Sequence, residues 1–221
     1  MNVTQAIQQR HSVRAFLDKA VPQCVLETLF DTARYAPSGV NMQPWKVAIL
    51  TGKAKQTLEQ KMVDAFKAGK KEKMDYHYYP TEWRSPYKER RVATGNQLYK
   101  QLGIERQDKT ARLNQWQANY RAFDAPVMLL FFIDASLEKG AYIDYGLLMQ
   151  NIMLLAEEAG LSTCPQAALA EFPSLVKTQL AIDPQQNLIG GMALGYKDKT
   201  HKINQFRTPR EQTNAFCTFY Q

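Results

Sequence analysis

Arg10-His11-Ser12-Val13-Arg14 follows a short helical-looking segment, Val3 to Gln9, and precedes the apolar pair Phe16-Leu17. In an extended backbone residues 10, 12 and 14 share one face, because side chains alternate with period two. Two guanidiniums and a hydroxyl then converge on one point. Arginine forks match phosphate oxygens bidentately, serine donates to a third oxygen, and each charge-assisted bond contributes about 1.5–3 kcal/mol. Taken alone, the cluster also reads as a solvated basic turn, since x-Arg-x-Ser-x-Arg arises easily by chance.

Working outward, Val21-Pro22 opens a helix, with proline suited to the first helical position and Val25, Leu26, Leu29, Phe30 and Ala33 at three- and four-residue spacing. The helix should stop by Ala36, before Pro37. The loop Pro37-Ser38-Gly39-Val40-Asn41-Met42-Gln43-Pro44-Trp45 leads into a strand, Trp45 to Leu50, closed by Thr51-Gly52. Leu58, Met62, Ala65 and Phe66 mark a further helix ending near Gly69. Val127 to Ile133 is apolar at every position, which predicts a strand buried on both faces at the centre of a sheet. Tyr142 to Gly160 reads as a helix for a core or a subunit interface, with Gln150 and Asn151 inside it. Buried amides must be hydrogen-bonded, so this pair is either structural or faces a ligand. Leu161 to Leu169 reads as extended, and the small residues after Pro165 let a flat ligand approach the backbone. Phe172 to Ala181 is a helix and Leu188 to Tyr196 a strand.

At 221 residues and 45% apolar content the chain suits one domain, residues 1–221, or one subunit of a dimer. The formal charge of +7 attracts anions without choosing among nucleic acid, phosphate-bearing cofactors and nothing specific. Cys24, Cys164 and Cys217 are odd in number and widely spaced, which indicates neither a disulfide framework nor a zinc site and fits a reducing cytoplasm. The N-terminus has no signal-peptide core and no run approaches the ~20 apolar residues that span a bilayer, so a cytoplasmic protein without a membrane partner is expected. Gly190-Gly191 and Gly195 do not make a dinucleotide fingerprint, and Thr51-Gly52-Lys53 lacks the upstream glycine of a phosphate loop.

Residues 70–123 mix charges with Tyr76, Tyr78, Tyr79, Trp83, Tyr87, Tyr99, Trp116 and Tyr120, and their apolar periodicity is weak. Basic, aromatic sequence can bind single-stranded nucleic acid, but no repeat spaces these aromatics and no recognition signature accompanies them. Peripheral helices with amphipathic tyrosines, or a helical lid over a planar substrate, account for the stretch more simply.

The R-x-S-x-R cluster, the P-S-x-x-N-x-Q-P-W loop and Thr163-Cys164-Pro165-Gln166 stand in the order found in the nitroreductase family of flavin-mononucleotide oxidoreductases, which the chain resembles from about Thr4 to its end. Arg90-Arg91, Leu98-Tyr99, Leu102-Gly103-Ile104, Arg106 and Asp108 look like the branch that reduces nitroaromatic compounds such as nitrobenzoates. The resemblance implies an α+β fold: a mostly antiparallel central sheet flanked by helices, in an intertwined homodimer with two active sites at the interface. It implies FMN as cofactor and NADPH or NADH as co-substrate, with hydride passing through the flavin N5 to nitroaromatic or quinone acceptors in ping-pong turnover. By this resemblance Arg10, Ser12, Arg14 and Arg210 hold the phosphate and ribityl region, with His11 adjacent and Arg207 a rival to Arg210. Pro37, Ser38, Gly39 and Asn41 come from the other chain. Gln150 faces the cofactor, Pro165, Gln166 and Ala167 lie beside the ring, and the Ala167 N–H donates to N5. Asn119 reaches the pyrimidine edge, with Arg121 its rival. No catalytic side chain and no metal is expected. A reductive dehalogenase or a flavin-consuming synthase on the same fold would share these cofactor motifs.

Overall fold

Val127–Asp134 forms strand β2, and every residue from Val127 to Ile133 is buried. In the computed structural model, which describes residues 1–221, β2 pairs on one side with β1, Lys46–Thr51, and on the other with β4, Gln186–Gly195. Strand β3, Ser162–Gln166, completes the order β1-β2-β4-β3, and every neighbouring pair is antiparallel. Period-two alternation then divides the core. Met128, Leu130 and Phe132 face helix α3, Gly52–Lys67, and helix α7, Pro173–Leu180, where Leu58, Met62 and Val176 are buried. Val127, Leu129, Phe131 and Ile133 face helix α2, Gln23–Ala33, and helix α6, Lys139–Glu158, against Leu26, Leu29, Leu148 and Ile152. The α+β architecture expected from the sequence is therefore present.

Two features of the sheet position the site. The Arg10–Arg14 segment, which follows helix α1, Val3–Gln9, runs alongside β3: Ser12 bridges Thr163 in parallel, and the Val13 N–H donates to the Thr163 carbonyl at 3.0 Å. Between Phe131 and Phe132 the β2–β4 register slips by one residue at Ile189. This bulge frees the Ile189 carbonyl, which accepts from the Tyr76 hydroxyl at 2.5 Å. The stretch around Tyr76 is thereby fastened to the sheet.

Several boundaries move from the sequence expectation. Pro22 stands at the N-cap of α2, not at its first helical position, with ψ of 141° in the extended region. Helix α6 begins at Lys139, three residues before Tyr142. The extended segment from Leu161 ends at Gln166, and Ala167–Ala170 turns into 3₁₀ helix. Gln150 and Asn151 are half-buried rather than buried; Asn151 donates to the Ala33 carbonyl at 3.3 Å, tying α6 to α2. Residues 70–123 contain helix α4, Tyr87–Leu102, and helix α5, Lys109–Gln117, neither of which buries any residue. That explains the weak apolar periodicity: these helices lie outside the core.

Candidate active site

A cavity of about 530 Å³ opens between the end of β3 and the stretch from Lys73 to Tyr79. Arg14, Asn119, Pro165, Gln166 and Ala167 line its inner side, and the stretch from Lys73 to Tyr79 with Trp116 lines the outer. Gln166 donates through Nε2 to the Asn119 carbonyl at 3.0 Å and to its Oδ1 at 3.2 Å, while Asn119 Nδ2 donates to the Trp116 carbonyl at 2.8 Å. The Gln166 Oε1 atom is buried without a partner. A buried polar atom left unpaired costs free energy, so this wall is suited to a ligand that donates hydrogen bonds. Arg121, the rival to Asn119, instead forms a bidentate pair with Asp124 at 2.7 and 3.2 Å and does not line this cavity.

Beside the cavity lies a cluster of cations. Val13 is buried while Arg10, Ser12 and Arg14 are half-buried, as alternation requires. Asn204, itself buried, accepts from the Arg14 N–H at 2.9 Å and donates to the Ala15 and Asp198 carbonyls, locking this backbone. Arg10 touches Met153 Sδ of α6 at 3.7 Å. Gln150, one turn earlier at i−3, shares that face, but it makes no hydrogen bond within the chain. Burial, and then the nearby Arg210, lower the Arg10 pKa from its ordinary value. His11 is likewise pushed down, chiefly by burial, with Lys197 contributing. Lys197 Nζ lies 3.0 Å from His11 Nε2, and Nδ1 lies 3.0 Å from the Gln9 carbonyl. An ammonium can only donate, so the ring is neutral with its proton on Nδ1.

The late arginines take different partners. Arg207 donates to the Gln8 and Gln9 carbonyls at 2.7 and 2.6 Å, satisfying acceptors at the end of α1. Arg210 folds back onto the Thr208 hydroxyl at 2.6 Å and is exposed. None of Arg10, Arg14, Lys197, Arg207 and Arg210 has a carboxylate within ion-pair distance. Glu157, whose pKa burial raises against the pull of Lys197 and Arg10, is the acidic group acting on them. Such a surplus of positive charge fits a phosphate.

The Pro37–Trp45 loop lines no part of this cavity. Its 3₁₀ turn, Gly39–Asn41, carries Val40 and Asn41 at φ of 46° and 57°, with Gln43 at 49°. A β-branched residue in the left-handed region is strained, and Val40 is also 99% exposed. The loop is nonetheless held. Asp144 of α6 accepts from the Gly39 N–H at 3.0 Å, and Ser38 Oγ accepts from the Gln43 N–H at 2.9 Å.

Several residues at the site went unremarked in the sequence. Asn204, Lys73 and Glu171 sit in no motif; Tyr76 and Trp116 were visible only as members of an aromatic-rich stretch. Glu171, which also lines the cavity, accepts from the buried Tyr120 hydroxyl at 2.5 Å, and Trp116 Nε1 donates to that hydroxyl at 3.2 Å.

A cationic notch on a sheet edge, next to a flat slot closed by aromatic side chains, defines a protein that receives a planar, phosphate-bearing ligand. The chain belongs to the nitroreductase family, whose sequence model matches residues 7–196. It is 37% identical over 213 residues to a 4-nitrobenzoate reductase of Pseudomonas putida, covering 96% of this chain and 93% of that protein. Among solved structures, the FMN- and NADPH-dependent nitroreductase NfnB from Sphigopyxis sp. strain HMH superposes with a TM-score of 0.96 at 34% identity over the full length of both chains. The FMN-dependent nitroreductase NfnB from Mycobacterium smegmatis, solved in complex with NADPH, gives 0.94 at 29% identity, covering 99% of this chain and 97% of that one.

Proposed function

We propose that this protein is an FMN-dependent oxidoreductase that uses NADPH or NADH to reduce nitroaromatic compounds. The observation that carries the reading is the unpaired cation cluster at Arg10, Arg14 and Arg210 directly beside the slot at Pro165, Gln166 and Ala167. Similarity to a 4-nitrobenzoate reductase and to FMN- and NADPH-dependent nitroreductases supports it. The chemistry FMN supplies when bound is acceptance of a hydride from the nicotinamide at N5 and its delivery, in alternation, to a nitroaromatic or quinone acceptor.

The chain's own residues bind and orient. Arg10, Ser12 and Arg210 take the phosphate, with neutral His11 holding Lys197 beside them; Arg207 is occupied with the end of α1 and acts through its charge. Arg14 is placed between the notch and the slot. Asn119 and the unpartnered Gln166 Oε1 offer hydrogen bonds to the polar edge of a ring. Pro165 and Ala167 present a flat wall, and the Ala167 N–H, at the turn into 3₁₀ helix, is the donor to the ring. Residues 70–123 act as the lid, with Tyr76, Tyr78 and Tyr79 excluding water from a planar substrate. Lys73 on the outer wall supplies a cation for an acidic substituent such as a benzoate.

The reading includes a homodimer in which Pro37, Ser38, Gly39 and Asn41 serve the partner's site. The strained, tethered loop, which lies outside the slot of its own chain, supports this, as does the face of α6 bearing Gln150. The test is the visible spectrum of the purified protein. A yellow protein whose released chromophore is FMN at about one per chain, bleached anaerobically by NADPH and restored by a nitroaromatic, is the expected result. A colourless protein that refuses added FMN would overturn the reading.

A further inference from the structure

The cavity contains an acid that binding alone does not require. Glu171 enters from the connection between β3 and α7, is half-buried, and lines the cavity wall. Its Oε2 is held by the Tyr120 hydroxyl at 2.5 Å, and Tyr120 is fixed by Trp116 and by ring packing against Phe66 and Phe172 at 5.1 and 5.3 Å. Its Oε1 makes no hydrogen bond to the protein. Resting on the functional reading above, we propose that the Glu171 carboxyl, oriented by Tyr120, is the proton donor for reduction of the nitro group.

The chemistry requires such a donor. Conversion of a nitro to a nitroso group follows ArNO2 + H⁻ + H⁺ → ArNO + H2O. The hydride, which originates in NAD(P)H, carries both electrons and one proton. The second proton must come from an acid. Here the Glu171 O–H bond breaks, a bond forms to the nitro oxygen that leaves as water, and the carboxylate regains a proton from solvent through the cavity mouth. The other ionisable groups on the wall serve less well. Arg14 is turned to the Ser12 carbonyl at 3.3 Å, Lys73 is exposed, Tyr76 is committed to the Ile189 carbonyl, and Cys164 is fully buried with its thiol pushed up. His77 is exposed on the rim and nothing orients it. Burial pushes the Glu171 pKa up against the Tyr120 hydrogen bond, and Tyr79 is the further titratable group that senses it from the lid. A carboxyl with raised pKa keeps its proton nearer neutrality, as a general acid must.

Reoxidation of the NADPH-reduced holoenzyme by ferricyanide consumes electrons but no proton, so it is the internal reference. In Glu171→Gln the ratio of nitroaromatic to ferricyanide reoxidation rates should fall about 100-fold. Independently of turnover, the apoprotein labelled with [δ-13C]glutamate should show two side-chain carboxyls titrating above the ordinary range, those of Glu157 and Glu171, and the second should be absent from the variant. An unchanged ratio in a yellow, NADPH-bleachable variant overturns the proposal, as does a variant spectrum that has lost no such carboxyl. A wild-type protein that takes up no FMN overturns the functional reading instead. Should Glu171→Gln not fold, Tyr120→Phe keeps the ring and the carboxyl; the pH limb of nitroaromatic reoxidation should move upward, and an unmoved limb overturns the proposal.

Discussion

Arg10 and Arg14 have no ion-pair partner in the chain, so the charge-assisted bonds they would give a phosphate are not competed for. Each such bond contributes about 1.5–3 kcal/mol, and Arg10→Ala should weaken FMN binding roughly 10- to 150-fold. Quenching of flavin fluorescence on titration into apoprotein measures this, and a change within twofold would remove Arg10 from the phosphate site. Glu171 makes a second residue-scale prediction. Its folded pKa lies above the unfolded value, so the folded state binds the extra proton. Its contribution to stability is complete below the ordinary glutamate pKa of 4.5 and is lost as pH rises through the folded value. Gln at 171 still accepts from Tyr120 but does not ionise. The melting temperature of Glu171→Gln apoprotein minus that of wild type should therefore grow more positive from pH 5 towards pH 8; a difference independent of pH would show that the carboxyl titrates normally.

At the scale of elements, β4 and residues 70–123 are the sensitive parts. A Cβ at Gly191 would sit 2.7 Å from the Leu129 carbonyl oxygen and 2.5 Å from Leu169 Cδ1, in the centre of the sheet. Backbone cannot yield there as a side chain can, so Gly191→Ala should destabilise by about 1–3 kcal/mol, read as a lower urea midpoint. The stretch 70–123 is fastened at its start by Asp75, which accepts from the Leu188 N–H at 2.8 Å and pairs with Lys177 at 3.1 Å. Farther along, α4 is fastened to the tail through Arg90 with Glu211 at 3.0 Å and Gln101 to the Lys202 carbonyl at 2.8 Å. Asp75→Asn should raise amide exchange across residues 70–86 and leave β2 protected; unchanged exchange in the lid would show that the aromatic contacts alone hold it. The strands and core helices were legible from periodicity because each buries a face. Helices α4 and α5 were not, because they bury none.

For the whole molecule, Phe216, Phe219 and Tyr220 are 71%, 84% and 92% exposed in the isolated chain. Exposed apolar residues in such a run mark an interface. We expect a dimer by analytical ultracentrifugation, and a chain ending at Glu211 to dissociate and lose FMN together, because the loop at Pro37 to Asn41 would no longer meet the partner's site. Loss of the dimer with retained FMN would place the whole cofactor site in one chain.

The sequence by itself determined the order of the strands and core helices, the buried central strand, and the alternation that turns Arg10, Ser12 and Arg14 to one side. Those depend on local periodicity and on spacings of a few residues. Only the tertiary structure decided that Asn204, 190 residues away, fixes the Arg14 backbone, that Tyr76 seals a bulge 113 residues distant, and that Arg207 caps α1 while Arg210 turns back onto Thr208. It also decided the pairing of Glu171 with Tyr120, 51 residues apart. These contacts are set by which faces of the sheet and lid come together, and no local pattern encodes a hydrogen bond between residues that only packing makes neighbours.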